Sequence, residues 1–194
     1  PVQIVKFPHP TLRHISKPLR RVDGGLKKMV REMFDLMYEY EGIGLAANQV
    51  DLPYRLFVMN LACDPDAKDE EHVFINPVIT SRKGSAEDRE GCLSFPAIYA
   101  PVTRPEKIVV NAYALDGREF TYALDGLYAR AVQHETDHLD GVVFIDRLSP
   151  ANRLAIKDDL AALEREFAML RDRGHILGDN SIAARLAELE AARA

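Results

Sequence analysis

The segment Gln133-His134-Glu135-Thr136-Asp137-His138 sets the strongest condition on what this chain can fold into. It reads H-E-x-x-H. On a helix, His134 and His138 stand at i and i+4, on one face and about one turn apart. Two imidazoles so placed can grip one divalent metal, and the rest of the chain then reads as a scaffold around that helix. Glu135 lies roughly 100° round the helix from His134, beside the metal and not on it. A general base acting on a water is useful there. So short a pattern also arises by chance, and paired histidines are often structural. The remaining residues therefore have to supply the context.

The chain has 194 residues, enough for one domain with a substantial core. A net charge of −5 argues against a nucleic-acid binder driven by phosphate neutralisation. No apolar run approaches the ~20 residues of a membrane helix. The start, Pro1-Val2-Gln3-Ile4, lacks the basic-then-apolar layout of a signal peptide. Cys63 and Cys92 are the only cysteines, so a disulfide framework is not expected and a reducing cytoplasm is the natural compartment.

Pro8, Pro10 and Pro18 forbid a long helix in the first 20 residues. The reading there is an extended arm, with a short helical turn at Thr11–His14. His9 and His14 are expected to be solvated or locally bonded. Asp23 is a candidate N-cap for a helix whose apolar positions are Leu26, Met29, Val30, Met33, Phe34, Leu36, Met37 and Tyr40. Its methionines are read as core. Gly42-Ile43-Gly44-Leu45-Ala46-Ala47-Asn48-Gln49 is a stretch where backbone approaches something closely. It is either a tight turn or a strip that pairs with a peptide, with Gln49 offering an amide donor. Strands are expected at Arg55–Asn60 and Val73–Ile79, with a polar loop at Cys63–Glu71 in which Cys63 is incidental and His72 exposed. Ile108–Tyr113 and Glu119–Ala123 flank Asp116-Gly117 as a hairpin. The histidine helix should run from Leu127 to Leu139 and stop at Asp140-Gly141. Ser149-Pro150 opens one last long helix with Leu154, Leu160, Leu163, Phe167 and Leu170 inward, and Ser181–Ala194 is a further helical segment.

Three ligands and an open position make a catalytic metal site, so a third ligand is needed. The extension H-x-x-G-x-x-H fails, because Gly141 matches the glycine but Phe144 stands where the last histidine would be. A glutamate from a later helix could be Glu164 or Glu166, although a solvated helix face explains both. Cys92, in the loop read at Glu87–Pro96, is the better candidate. It is either a small buried hydrophobe or a thiolate ligand. Arg104 could pair with Glu90 and brace that loop.

Gly42–Gln49, Glu90-Gly91-Cys92-Leu93-Ser94 and Gln133–His138 together resemble, in order, the three motifs of the peptide deformylases. The resemblance runs from Phe7-Pro8 to Leu148-Ser149-Pro150. It implies an α+β fold, with antiparallel β-sheets around the central metal-binding helix and with N-terminal and C-terminal helices. Residues 1–173 would be the catalytic domain and 174–194 a helical extension without an assigned role. The implied activity is removal of formate from N-formylmethionine on new bacterial or organellar chains. Cys92, His134 and His138 would bind one divalent metal, Fe2+ first and Zn2+, Ni2+ or Co2+ as substitutes. Glu135 would take the proton of a water, and the Gln49 side chain and Leu93 backbone N–H would stabilise the oxyanion. Backbone at Ile43, Gly44 and Gly91 would hold the peptide extended, and Leu127, Ala131 and Ile43 would wall the methionine pocket.

Two rivals remain at this stage. One is a metalloendopeptidase using Glu164 or Glu166, for which Cys92 would be dispensable. The other is a non-catalytic peptide-binding relative of the deformylases. The nascent-chain substrate suggests a transient ribosome contact, but from Pro150 onward 7 Lys/Arg face 8 Asp/Glu, so no basic excess supports RNA binding.

Overall fold

The computed structural model describes residues 1–194. Helix α1, Gly24–Glu39, begins where Asp23 accepts the Leu26 N–H at 2.8 Å. Leu26, Val30, Met33, Phe34 and Met37 form its buried stripe, so Met33 and Met37 are core, as expected, while Met29 is partly buried at its edge. The chain then enters a five-stranded antiparallel sheet in the order β1-β2-β3-β6-β7. Its strands are β1 Gly44–Ala46, β2 Leu56–Met59, β3 His72–Lys83, β6 Lys107–Tyr113 and β7 Glu119–Asp125. Register is carried by apolar partners such as Leu45↔Val58 and Phe57↔Phe74. At Asn76-Pro77 the register of β3 shifts, with Asn76 at φ +50. The Asn76 side chain bonds both the N–H and the carbonyl of Leu19, tying the N-terminal arm to the sheet.

Helix α2, Gly126–Leu139, lies against that sheet. Ala129, Val132 and Leu139 pack with Ala46, Phe57, Phe74 and Val110. Strands β4 Ala86–Cys92 and β5 Phe95–Arg104 form a separate two-stranded sheet. This corrects the loop expected at Glu87–Cys92. The strand has no apolar alternation because its middle residues are exposed, and its ladder to β5 sets it. The apolar side of β5, with Phe95, Ile98, Ala100 and Val102, packs on Phe7, Leu12, Phe144 and Ile145.

Ser149 caps as expected, accepting the Asn152 N–H, with Pro150 at the first helical position. The single long helix is however two, α3 Pro150–Ala155 and α4 Lys157–Asp172. Ile156, at φ −106 and ψ 9, breaks the run and turns into the core beside Leu160, which leaves Leu154 68% exposed instead of inward. Helix α5, Asp179–Arg193, buries Ile182 and Leu186. Its Arg193 bonds Asp23 and the Tyr54 hydroxyl. In the arm, Pro10–Arg13 forms a 3-10 turn. His9 is buried, and its Nδ1 accepts the Thr11 N–H, so it is locally bonded and not solvated. His14 pairs with Glu190. His72 is half-buried against Tyr122 and Tyr128, correcting its expected exposure.

Candidate metal centre

Helix α2 is polar where a core helix is usually apolar. Gln133, His134, Glu135, Thr136 and His138 are all buried. The helix spacing puts both imidazoles on one face, with ring centroids 5.0 Å apart. Strand β4 ends at Cys92, whose sulfur lies 3.4 Å from His138 Nε2. One ligand atom from each of Cys92, His134 and His138 lies within 4.8 Å of the other two, close enough to share one ion. A thiolate and two imidazoles are a donor set that suits iron, zinc, nickel or cobalt. The chain's chemistry therefore fits a divalent metal. Glu164 and Glu166, the rival third ligands, are exposed on α4.

Each histidine is set by its surroundings. His134 Nδ1 bonds Glu90 Oε1 at 2.9 Å, which fixes the ring and leaves Nε2 for the site. Burial opposes a charge on His134, but hydrogen bonds to Cys92 and Glu90 outweigh it and raise its pKa well above the ordinary value. His138 goes the other way, because burial and the neighbouring His134 hold its pKa well below normal. Glu90 is also buried, yet bonds from His134 and Arg104 lower its pKa to about 2. The expected Arg104–Glu90 pair is present, at 2.6 and 3.0 Å.

Glu135 is oriented differently. It is buried, one carboxylate oxygen has no hydrogen-bond partner, and burial raises its pKa to about 7. A carboxyl poised near neutrality can accept and return a proton. Its neighbour is Gly44. A Cβ there would lie 2.9 Å from Glu135 Oε1, so the glycine leaves the room the carboxylate uses. Gln49 sits in the 3-10 turn Ala47–Val50. Its Oε1 accepts the Ala46 N–H at 2.9 Å, which turns the Nε2 donor toward Cys92 Sγ at 3.3 Å and Ser94 Oγ at 3.2 Å. The Asn48 amide donates to the His138 carbonyl and joins this turn to α2.

The remaining sequence candidates surround this cluster. Strand β1, with Gly44, is an edge strand paired only with β2, and the Ile43 carbonyl accepts the Asn60 N–H. Gly91 precedes Cys92 and packs on the Tyr99 ring, where a Cβ would come within 2.5 Å. Leu93 is partly buried and packs over Gly42. Ala131 is buried on the α2 face shared with His134 and His138. Leu127, one turn earlier on that face, is 57% exposed, so it stands at the rim and not inside a wall. Cys63 is not among the ligand group, and its thiol donates to the Gly42 carbonyl.

Sequence reasoning missed Arg130, Ser94 and Asn48. Arg130 donates to Glu90 Oε2 at 2.7 Å and is buried. Its signal was a single cation within Ala129-Arg130-Ala131-Val132, on the face that also carries His134 at i+4.

Comparison with known proteins agrees with this geometry. The family model described as polypeptide deformylase matches residues 1–154. A peptide deformylase of Rhodopirellula baltica is 45% identical over 191 residues, covering 98% of this chain and 94% of its own. The crystal structure of a Plasmodium falciparum peptide deformylase matches with a TM-score of 0.84 at 38% identity, over 86% of this chain and 98% of that one. A plant peptide deformylase also matches at 0.84, with 41% identity over 90% of this chain and 94% of that one. With its three motifs meeting at one buried cluster and these matches spanning most of its length, the chain belongs to the peptide deformylase family.

Proposed function

We propose that this protein hydrolyses the formyl group, as formate, from the N-terminal formylmethionine of newly made chains, with one divalent metal per chain and Fe2+ as the first candidate. The observation that carries this reading is the meeting of Cys92, His134 and His138 beside the buried, unpartnered carboxylate oxygen of Glu135. The metal, held by the Cys92 sulfur and the two imidazoles, would supply Lewis acidity toward a water and the formyl carbonyl.

The protein's own groups do the rest. Glu135, near neutrality in its buried site, accepts a proton from the attacking water and delivers it to the departing amine. The Gln49 amide, its orientation fixed by the Ala46 N–H, and the Leu93 backbone N–H donate to the oxygen on which charge grows. Backbone of Ile43 and Gly44, at the edge strand, and of Gly91 holds the peptide as an added strand. Ile43, Ala131 and the exposed Leu127 receive the methionine side chain. The substrate is a nascent chain, so the cytoplasm or an organelle of bacterial type is the setting, with a transient ribosome contact.

The test is formate release from a formyl-Met peptide by protein purified without oxygen, with metal assayed on the same sample. Activity proportional to about one metal per chain, lost on chelation, is expected. Glu135→Gln should keep the metal and lose about 10²–10⁴ in rate, the usual contribution of a general base. Near-normal turnover in that variant would remove Glu135 from its role.

A further inference from the structure

The two halves of the metal centre belong to different packing units. Cys92 ends a strand of the separate two-stranded sheet, whose apolar side packs with Phe7, Phe144 and Ile145. The histidines ride on α2, which packs on the five-stranded sheet. The side chains that cross between the β4–β5 hairpin and α2 at this point are polar. Glu90 meets His134, and Arg104 meets Asp137 at 2.8 Å. Both are side-chain pairs, and both could follow a hairpin that had shifted; Gln133 adds one bond to the Pro105 carbonyl just past β5.

Arg130 is different. Its guanidinium donates to the Val102 carbonyl on β5 at 2.8 Å, to the Ala86 carbonyl on β4 at 2.8 Å, and to Glu90 Oε2 at 2.7 Å. It therefore grips the backbone of both hairpin strands at once. Its stem leaves α2 one turn before His134, and the two side chains share the Glu90 carboxylate. Backbone carbonyls in a paired ladder cannot rotate to follow a displaced partner. A planar fork with fixed donor directions is suited to such a three-point grip, and a single ammonium is not. Arg130 is about nine-tenths buried, so water does not substitute for it.

We propose that Arg130 is a positioning residue that locks the Cys92 hairpin in register with the histidine helix and so sets how tightly the three ligands hold their metal. It touches neither substrate nor metal, and it acts through hairpin backbone and through Glu90. The proposal rests on the reading of Cys92, His134 and His138 as the ligands.

The experiment uses the full chain in a Cys63→Ser background, leaving Cys92 as the one thiol. Arg130→Met and Arg130→Lys are compared with that parent. Metal affinity is measured by competition with a chromophoric chelator, and Cys92 alkylation is followed in metal-free protein. Arg130→Met should bind zinc about 10- to 100-fold more weakly, the range for lost partners of metal ligands, and its Cys92 should react faster. Arg130→Lys should recover only part of either effect. If Arg130→Met does not fold, Arg130→Lys alone decides, because parental affinity and parental alkylation in it would overturn the proposal. A lowered melting temperature with unchanged affinity and alkylation would overturn it too, since Arg130 would then serve the fold and not the site. Cys92→Ser separates the two levels. If it keeps full metal affinity, the ligand reading itself fails; if it loses metal while both Arg130 variants keep theirs, only the positioning role fails.

Discussion

Replacing Gly141 by alanine should destabilise the protein much more than replacing Gly117 by alanine, although both glycines have left-handed backbone. Their φ values are +72 and +87. An L-residue in that region costs about 1–2 kcal/mol, offset by about 0.4–1 kcal/mol because the unfolded chain loses freedom. Both variants carry this net loss. Gly117, in the hairpin turn, has nothing within 4 Å of an added Cβ. At Gly141, just past the end of α2, the Cβ would meet the Arg13 carbonyl oxygen at 2.5 Å and its carbon at 2.9 Å. Those atoms are backbone and cannot swing aside. The arm would have to move, straining the Arg13–Asp146 pair and the Ser16 N–H to Leu139 carbonyl bond. Overpacking of this kind adds about 1–3 kcal/mol. Gly141→Ala should therefore lose about 2–4 kcal/mol in all, or about 5–15 °C in melting temperature at the ~2–4 °C per kcal/mol of a domain this size. Gly117→Ala should lose under about 2 kcal/mol. Urea titrations of both variants at equal m-value make the comparison. Equal losses would refute the reasoning, because the contact with Arg13 would then carry no weight.

Cys92→Ser should lose metal sharply while keeping its fold, since a neutral hydroxyl replaces a soft thiolate; metal analysis after gel filtration checks this, and full occupancy would contradict the ligand assignment. Glu71 gives a pH test away from the site. Burial pushes its carboxyl pKa up, but bonds from Arg31, Tyr38 and Lys68 outweigh that and hold it below the usual range. Its folded pKa is depressed, so its stabilisation is complete above the unfolded value of about 4.3 and is lost as pH falls through the folded value. Glu71→Gln should thus cost about 1–2 kcal/mol at pH 7, a difference that shrinks as pH falls below the unfolded value and through the folded one. A constant difference across that range in urea midpoints would count against the assignment.

The features legible in the sequence were those written locally. Asp23 and Ser149 announce their helices because a cap and its N–H lie within three residues. His134 and His138 announce a site because helical spacing alone brings them together. Cys92 needed the absence of other third ligands and the order of the motifs. What stayed hidden depends on partners far along the chain. Strand β4 looks like a charged loop because its pairing with β5 comes from hydrogen bonds and not from apolar alternation. The break at Ile156 follows from a core assembled by Phe95, Phe144 and Leu12. Arg130 reads as a surface cation until Val102, Ala86 and Glu90 are placed around it. Gly44 reads as a turn glycine until Glu135 arrives behind it.

The contacts of α5 fasten the two segments that lead into the site. Arg185 holds the Asp51 carbonyl and carboxylate, directly after the turn that presents Gln49, and Arg193 holds Asp23 at the start of α1. The Gln49 turn, already held by the Ala46 N–H and through Asn48 by α2, gains a further tie there. Loss of α5 would therefore strip Asp23 and Asp51 of these cations while leaving Cys92, His134 and His138, which belong to other elements, their own neighbours.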